Sequence, residues 1–300
     1  MKPNPPKPEA KPGPAKRDQG KGGYRKGPPG KPPWRNDHGR RDPAPHQSAP
    51  SLETADDGRV VLYGIHAVAA ALDNPARRIT KILATENAEN RLADAIARRQ
   101  IPTERVRPKD LDRLLGADTV HQGVMAHSEA LDEPELADLI SAADKTGAPL
   151  VVLDQVTDPH NVGAVLRSAA VFSASGLITT RRHSPPLNGT LAKSASGALE
   201  LVPVALVQNL ARTLDELKAA GVTVIGLDGE GEMAIEDHPL KGAVAFVLGA
   251  EGKGLRQLTR ETCNAVCRIG TSGALASLNV SNAAAIALHL AAMRRRASRA

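Results

Sequence analysis

Aromatic residues are scarce in this chain of 300 residues. Phe, Trp and Tyr together make up 2% of it, whereas hydrophobic residues as a whole reach 41%. A core must therefore be built mainly from Ala, Val, Leu and Ile. The longest apolar runs fall well short of the ~18 residues that a membrane span needs, and the N-terminus lacks the apolar segment of a secretory signal. We therefore expect a cytoplasmic protein that does not enter a membrane.

Several kinds of functional motif are also missing. The two cysteines, Cys263 and Cys267, are too few for a disulfide framework, and no further metal ligands cluster beside them. The sequence contains no GxGxxG, GxxxxGK[ST], HExxH or GxSxG pattern. These absences argue against nucleotide hydrolysis, zinc-dependent hydrolysis and serine-hydrolase chemistry, and we expect no metal site.

Positive charge is concentrated at the N-terminus. Residues 1–50 hold 12 Lys or Arg against 4 Asp or Glu, whereas the other 250 residues hold 27 against 29. The first 50 residues also contain 13 of the 23 prolines. This composition predicts a disordered basic tail over residues 1–57. The tail contains Tyr24 and Trp34 among its basic residues, so it suits either auxiliary RNA contact or a purely solubilising role.

Residues 58–130 have the pattern of a small α/β domain. Strand-like runs occupy 59–64, 79–85 and 123–130, and helical runs occupy 65–72, 87–98 and 108–115. The turn segments Tyr63–His66 and His121–Gly123 carry polar groups that either contact a ligand or simply satisfy the turns. A helix and a turn over 131–148 link this region to the rest of the chain.

From residue 149 to 297, strand-like and helical runs alternate. The predicted strands are 150–156, 176–180, 201–207, 222–228, 244–249 and 265–270, and the predicted helices are 160–173, 188–195, 209–220, 255–262 and 280–296. Nearly continuous apolar strands separated by helices are typical of a parallel sheet covered on both faces. Ligands bind such sheets at the carboxyl ends of the strands.

Polar residues follow several of these strands. Asp158 is a predicted N-cap with Pro159 at the first helical position, ahead of Asn161 and Arg167. Taken alone, this segment fits two interpretations, namely an ordinary capped helix with a surface arginine or part of a functional site. The loop at 249–254 is rich in glycine but lacks the Lys-Ser/Thr pair of a phosphate-binding loop. Together with Ile269 and the segment 277–282, it could form a pocket for a small adenosine-like ligand.

Three motifs in order resemble those of the SpoU (TrmH) branch of the SPOUT RNA 2′-O-methyltransferases. They are Asp158-Pro159-His160-Asn161-Val162-Gly163 with Arg167, then Leu248-Gly249-Ala250-Glu251-Gly252, then Ser277-Leu278-Asn279-Val280-Ser281. The resemblance covers residues 60–295, including 188–200 and 209–213 between the motifs. Within the family, the chain is most similar to the 23S rRNA guanosine-2′-O-methyltransferases of the RlmB type.

The resemblance implies a C-terminal trefoil-knotted methyltransferase domain, an exception to the rule that chains do not thread loops. It also implies a front domain of the L30e-like, RNA substrate-binding kind, a homodimer with the site near its interface, and S-adenosylmethionine as methyl donor. The residues that it assigns to the donor are Leu248, Gly249, Ala250, Ile269 and Leu278.

The resemblance assigns the acceptor side and catalysis to Asn161, Arg167, Glu251, Ser277 and Asn279. An arginine normally stays protonated, so we expect Arg167 to orient the ribose 2′-hydroxyl and a nearby phosphate rather than to remove a proton. Glu251 would fix Arg167 or shape the loop, and Ser277 and Asn279 would support the substrate and the knot.

Three functions remain open at this point: methylation of a guanosine in 23S rRNA, methylation of tRNA, and non-catalytic RNA binding in ribosome assembly. The presence of a front domain favours rRNA over tRNA, because the short tRNA-specific relatives lack this module. The joint presence of the five acceptor-side residues argues against a non-catalytic protein.

Overall fold

The computed structural model describes residues 59–273 and 278–298. The predicted tail and Ser277 lie outside the described residues. The first part of the fold is a four-stranded sheet with its helices, followed by a linking helix: β1 Arg59–Tyr63, α1 Ile65–Asp73, β2 Ile79–Ala84, α2 Glu86–Arg99, β3 Thr103–Arg105, α3 Pro108–Leu115, β4 Val124–Glu129 and α4 Leu136–Thr146. The strand order is β1-β4-β2-β3, and only the β2–β3 pair is parallel.

The second part alternates strands and helices: β5 Leu150–Asp154, α5 Pro159–Val171, β6 Gly176–Thr180, α6 Gly189–Ser194, a 3-10 turn Ala198–Glu200, β7 Val204–Val207, α7 Leu210–Ala219, β8 Thr223–Leu227, β9 Met233–Ala234, β10 Val244–Gly249, α8 Gln257–Thr262, β11 Ala265–Arg268 and α9 Val280–Ala297. The strands form one seven-stranded sheet in the order β7-β6-β5-β10-β8-β11-β9, and every pairing is parallel.

The predicted parallel sheet is confirmed, with differences at its margins. Strand β7 begins at Val204 instead of residue 201, because the 3-10 turn and Leu201 come first and Pro203 has no N–H to donate to a ladder. The short strands β3 and β9 were not predicted. Their sequences, TER and MA, are too short to show an apolar alternation.

The parallel sheet is buried on both faces, as its apolar strands predict. In β5, Val151 and Leu153 belong to one hydrophobic cluster and Leu150 and Val152 to another, since successive side chains point to opposite faces. The first cluster includes residues of α5 and α9 and continues into the four-stranded sheet. The two sheets therefore share a core.

Contacts around α6 join the four-stranded sheet to the second part of the chain. A Cβ on Gly189 would lie 2.3 Å from the Val61 carbonyl oxygen, so only glycine permits this approach. The Tyr63 hydroxyl lies 2.8 Å from Thr190 Oγ1. Glu200, in the 3-10 turn that follows α6, forms a salt bridge of 2.7 Å with Arg77, and both side chains are almost completely buried.

In the part of the chain that the structure describes, no helix is long and apolar enough to span a bilayer.

Candidate active site

The loop after β10 is a tight turn that depends on glycine. A Cβ on Gly249 would lie 2.1 Å from the Gly254 backbone, closer than any real contact. Gly254 donates its N–H to the Ala250 carbonyl at 2.9 Å, and Gly252 has a φ of 76°. The loop therefore folds back on itself at the carboxyl end of β10, where it leaves backbone groups accessible to a ligand.

This loop is one wall of a cavity of about 460 Å³ at the carboxyl edge of the sheet. That volume lies within the range of small-molecule sites. Glu251 lines the cavity, and so do all five residues predicted to hold a methyl donor. These five are Leu248, Gly249, Ala250, Ile269 and Leu278. The structure thus brings the three predicted loops together, while the roles of their residues stay predictions.

Sequence reasoning missed a further wall of this cavity. Asp228, Gly229 and Glu230 follow β8, and Arg260 of α8 also lines the cavity. Arg260 lies 3.3 Å from Asp228. The sequence did contain an indication of this wall. The predicted strand 222–228 ends at Asp228, and ligands bind at the carboxyl ends of parallel strands.

Three polar side chains from distant parts of the chain meet beside the cavity, and one of them, Glu251, belongs to its wall. Asn279 donates through Nδ2 to Asn161 Oδ1 at 2.9 Å and to Glu251 Oε2 at 3.3 Å. Asn161 also donates to the same glutamate oxygen, at 3.4 Å. The amides therefore place two donors on one carboxylate oxygen and orient each other.

Each asparagine has its position set by a helix start. Asp158 caps α5 by accepting from the His160 N–H at 2.9 Å, as predicted, and Asn161 lies in the first turn that follows. Asn279 is itself the N-cap of α9, since its Oδ1 accepts from the Ser281 N–H at 2.8 Å. Capping thus fixes one end of the Asn279 side chain and leaves Nδ2 for the cluster.

Arg167 lies apart from this cluster. It is exposed on α5, in a groove beside Ser281 and Asn282 of α9, and it is not among the residues that line the cavity. Among the described residues, no hydrogen bond or ion pair joins Arg167 to Asn161 or Glu251, which lie about 9 Å along α5 and on another loop, respectively. Its groove includes Ser281, whose hydroxyl and N–H donate to Asn279. The role of Arg167 and the choice for Glu251 between fixing Arg167 and shaping the loop stay predictions.

Two polar residues in the turns of the four-stranded sheet, Gln122 and His121, have hydrogen-bond partners within the fold. Gln122 Oε1 accepts from the Ile65 N–H at 3.0 Å at the start of α1. His121 Nε2 lies 3.0 Å from Asp112, and His121 Nδ1 accepts from the Gly123 N–H. These bonds give Gln122 and His121 a structural role in the turns, and contact of the turns with a ligand stays a prediction.

The cysteines are free. The Cys263 thiol donates to the Thr259 carbonyl oxygen at 3.2 Å, and burial raises its pKa to about 11. Burial also raises the pKa of Cys267. A thiol with a raised pKa is a poor nucleophile and metal ligand. Within residues 59–273 and 278–298, no group of His, Cys, Asp and Glu side chains could hold a metal ion.

Comparison with known families agrees with this architecture. Residues 148–289 match the SpoU rRNA methylase family, and residues 61–134 match the RNA 2′-O ribose methyltransferase substrate-binding family. The chain belongs to the SpoU family of RNA methyltransferases.

Its similar relatives include 23S rRNA (guanosine-2′-O-)-methyltransferases named RlmB. The protein of Ralstonia nicotianae is 43% identical over 240 residues, which cover 78% of this chain and 96% of the relative. The protein of Vibrio vulnificus is 40% identical over 246 residues, which cover 79% and 98%.

Solved structures show the same fold at lower identity. The SpoU methyltransferase AviRb from Streptomyces viridochromogenes, in complex with AdoMet, has a TM-score of 0.68 at 23% identity, covering 80% of this chain and 91% of its own. An AdoMet-bound rRNA methyltransferase from Sinorhizobium meliloti has a TM-score of 0.66 at 23% identity, covering 79% and 88%.

Proposed function

We propose that this protein transfers a methyl group from S-adenosylmethionine to the ribose 2′-hydroxyl of a guanosine in 23S rRNA. The observation that carries the proposal is the Asn161–Glu251–Asn279 cluster, which adjoins through Glu251 a cavity built from the second and third family motifs. The RlmB relatives, at about 40% identity over nearly their whole length, support the rRNA substrate. An rRNA substrate in turn supports a cytoplasmic location.

RNA binding and methyl transfer would be carried out by two different regions of the chain. We propose residues 58–130 as an RNA substrate-binding domain, residues 131–148 as a linker and residues 149–297 as the methyltransferase domain. The continuous core and the α6 contacts hold the four-stranded sheet against the second region. RNA bound to the four-stranded sheet would therefore be held at a defined place relative to the cavity.

The residues of the cavity fit the proposed methyl donor. Leu248, Ile269 and Leu278 offer apolar walls, and the turn at Gly249 exposes backbone donors and acceptors. Asp228 and Glu230, both within 4 Å of Arg260, add carboxylate oxygens that would accept from hydroxyl or ammonium groups. When bound, S-adenosylmethionine supplies an electrophilic methyl group on a sulfonium.

In the proposed reaction, the ribose oxygen bonds to the methyl carbon as the carbon–sulfur bond breaks, and the hydroxyl proton leaves to a phosphate oxygen or water. Asn161 and Asn279 would hold the acceptor strand, with Ser277 in support, and Glu251 would hold the two amides. Most of the rate would come from aligning the oxygen with the methyl group, since well-oriented reactants gain several kcal/mol, about 7–11 at best.

Arg167 would complete the site from a second copy of the chain. It lies on an exposed face of α5 and α9 on which Val171 is 75% exposed and Met293 is 55% exposed. Such large exposed aliphatic side chains favour a homodimer through this face. In such a dimer, Arg167 would lie beside the partner's acceptor site, where it would orient the hydroxyl and a phosphate.

Complementation tests this arrangement. Arg167→Ala and Glu251→Gln should each lose methyl transfer as separate homodimers. A mixed dimer has one site with both native residues if Arg167 acts across the interface, so mixing should restore part of the activity. If mixing restores nothing while sedimentation shows that mixed dimers form, Arg167 does not act across the interface.

The methyl-transfer reaction itself is tested with tritium-labelled S-adenosylmethionine and purified 23S rRNA or tRNA from a strain that lacks the enzyme. We expect label in 23S rRNA and, after mapping, at one guanosine. Label in tRNA alone would overturn the rRNA assignment. Absence of label in both RNAs, with RNA binding retained, would favour the non-catalytic alternative. Arg167→Ala should abolish transfer while calorimetry shows unchanged binding of S-adenosylmethionine.

The basic tail would add sequence-independent RNA affinity. Removing residues 1–57 should weaken binding to 23S rRNA, more at low salt than at high salt, because attraction between unlike charges is screened by ions. The melting temperature should not change. Equal affinity of both proteins at low salt would leave only a solubilising role.

A further inference from the structure

A second cavity lies at the same edge of the parallel sheet. It measures about 370 Å³ and is formed by residues that follow β5, β6 and β7 and by the start of α8. The two cavities are adjacent, because Leu255 lines the first and Arg256 lines the second. A ligand in the second cavity would therefore be close to one in the first.

Arg256 is held in place by a buried carboxylate. Asp154, at the end of β5, has a fully buried side chain, and it accepts from the Arg256 Nε at 2.7 Å and from the Arg256 N–H at 3.1 Å. The Arg256 side chain is 48% exposed. For its terminal guanidinium nitrogens, the described residues provide no hydrogen-bond partner. The buried carboxylate thus fixes the plane of the guanidinium and leaves its outer donors for a ligand.

The other charged side chain in the wall of this cavity is also a cation. Arg182 is exposed and lines the cavity beside His183, and no carboxylate group belongs to the wall. In the described part of the chain, neither side chain forms an ion pair, whereas the preceding Arg181 is paired with Glu133 at 2.6 Å. Two arginines, one of them pre-oriented, beside a histidine and several amide and hydroxyl groups form a site for an anion. A guanidinium with free outer donors matches phosphate oxygens in pairs.

We propose that this second cavity binds a backbone phosphate of the RNA strand next to the methylated nucleotide, with Arg256 and Arg182 as its ligands. The inference rests on the proposed function and deepens it. Contacts to phosphate set the register of a strand without reading its bases. The subsite would therefore place the target ribose at the mouth of the first cavity, and the Asp154 carboxylate would act as a positioning group.

Two substitutions separate charge from geometry in this subsite. Arg182→Gln removes a charge from an exposed side chain and should leave the fold unchanged. Its affinity for transcribed 23S rRNA should fall about tenfold at low salt, and the slope of log K against log salt should decrease by about 0.7–0.9, the value of one phosphate contact. Arg256→Lys keeps the charge but loses the paired donors, so affinity should fall while the salt slope stays close to that of the unmodified protein.

Lys218→Gln is the matched control. Lys218 lies on α7, away from both cavities, and is paired with Asp215 at 2.9 Å. This variant should bind RNA like the unmodified protein. All three variants should keep their melting temperature and their affinity for S-adenosylmethionine. If Arg256→Lys lowers the melting temperature, the RNA affinity and salt slope of Arg182→Gln alone test the subsite.

Unchanged RNA affinity and salt slope for Arg182→Gln would overturn the subsite. The proposed function has a separate readout, since transfer of label to 23S rRNA by the unmodified protein is measured on the same preparation. Transfer with no effect of Arg182→Gln rejects the subsite alone. An absence of transfer rejects the proposed function, whatever the salt slope shows.

Discussion

Asn161 and Asn279 are 118 positions apart in the chain and are joined by a hydrogen bond of 2.9 Å from Asn279 Nδ2 to Asn161 Oδ1. The same Nδ2 donates to Glu251, and the Oδ1 of Asn279 caps α9. One side chain therefore links the start of a helix to the proposed acceptor site, and substitution can separate the two roles.

Asn279→Ala should lose both roles and Asn279→Ser only one. Serine is a good N-cap, so the free energy of unfolding should fall by about 1 kcal/mol for alanine and much less for serine. Both variants lack Nδ2, so methyl transfer should fall at least about tenfold in both. Denaturant unfolding and initial rates measure the two effects. A serine variant with full activity would show that the amide contacts are not needed.

Gly249→Ala should close the first cavity to its ligand. The added methyl group would lie 2.1 Å from the Gly254 backbone, so the turn must open. We expect affinity for S-adenosylmethionine to fall by more than about tenfold in calorimetry, since donors on the turn lose their alignment. Gly273→Ala is the control, because a Cβ there meets nothing within 4 Å. Equal affinities for the two variants would argue against a role of this turn in donor binding.

The buried Arg77–Glu200 pair should stabilise the contact between the four-stranded sheet and the segment after α6. Glu200 accepts from both Arg77 and Asn74. Glu200→Ala leaves a buried cation without an anionic partner and should lower the free energy of unfolding in urea by about 3–5 kcal/mol. The double substitution Arg77→Met with Glu200→Leu should recover much of this loss. If the double variant is no more stable than Glu200→Ala, the cost arises from packing and not from the unpaired charge.

Cys263 should make stability fall at high pH. In the unfolded chain its thiol loses its proton near the usual pKa of 9.0, whereas burial raises the pKa in the folded chain to about 11. Between these values the folded state binds more protons, so stability present below pH 9 is lost as the pH rises through 11, by about 2 kcal/mol. Cys263→Ala should lack this component. If the free energies of unfolding of the two proteins change by the same amount between pH 8.5 and 11, the assignment is wrong.

Local sequence patterns predicted most of the fold. Each long buried strand is an apolar run, and the helix start that was predicted from Asp158 carries a side-chain cap in the structure. The rule that ligands bind at the carboxyl ends of parallel strands correctly placed the loops after β10 and β11 in one cavity. The threaded knot and the L30e-like topology stay predictions from the family resemblance.

The sequence by itself determined the long strands, the helices and the Asp158 cap of this protein, because these depend on residues close together in the chain. Only the tertiary structure decided which distant side chains meet. Glu251 contacts two asparagines and not Arg167, the loop at Asp228 joins the cavity, and Asp154 orients Arg256 across 102 positions. Such pairings follow from strand order and loop path, which a one-dimensional pattern of apolar and polar residues does not specify.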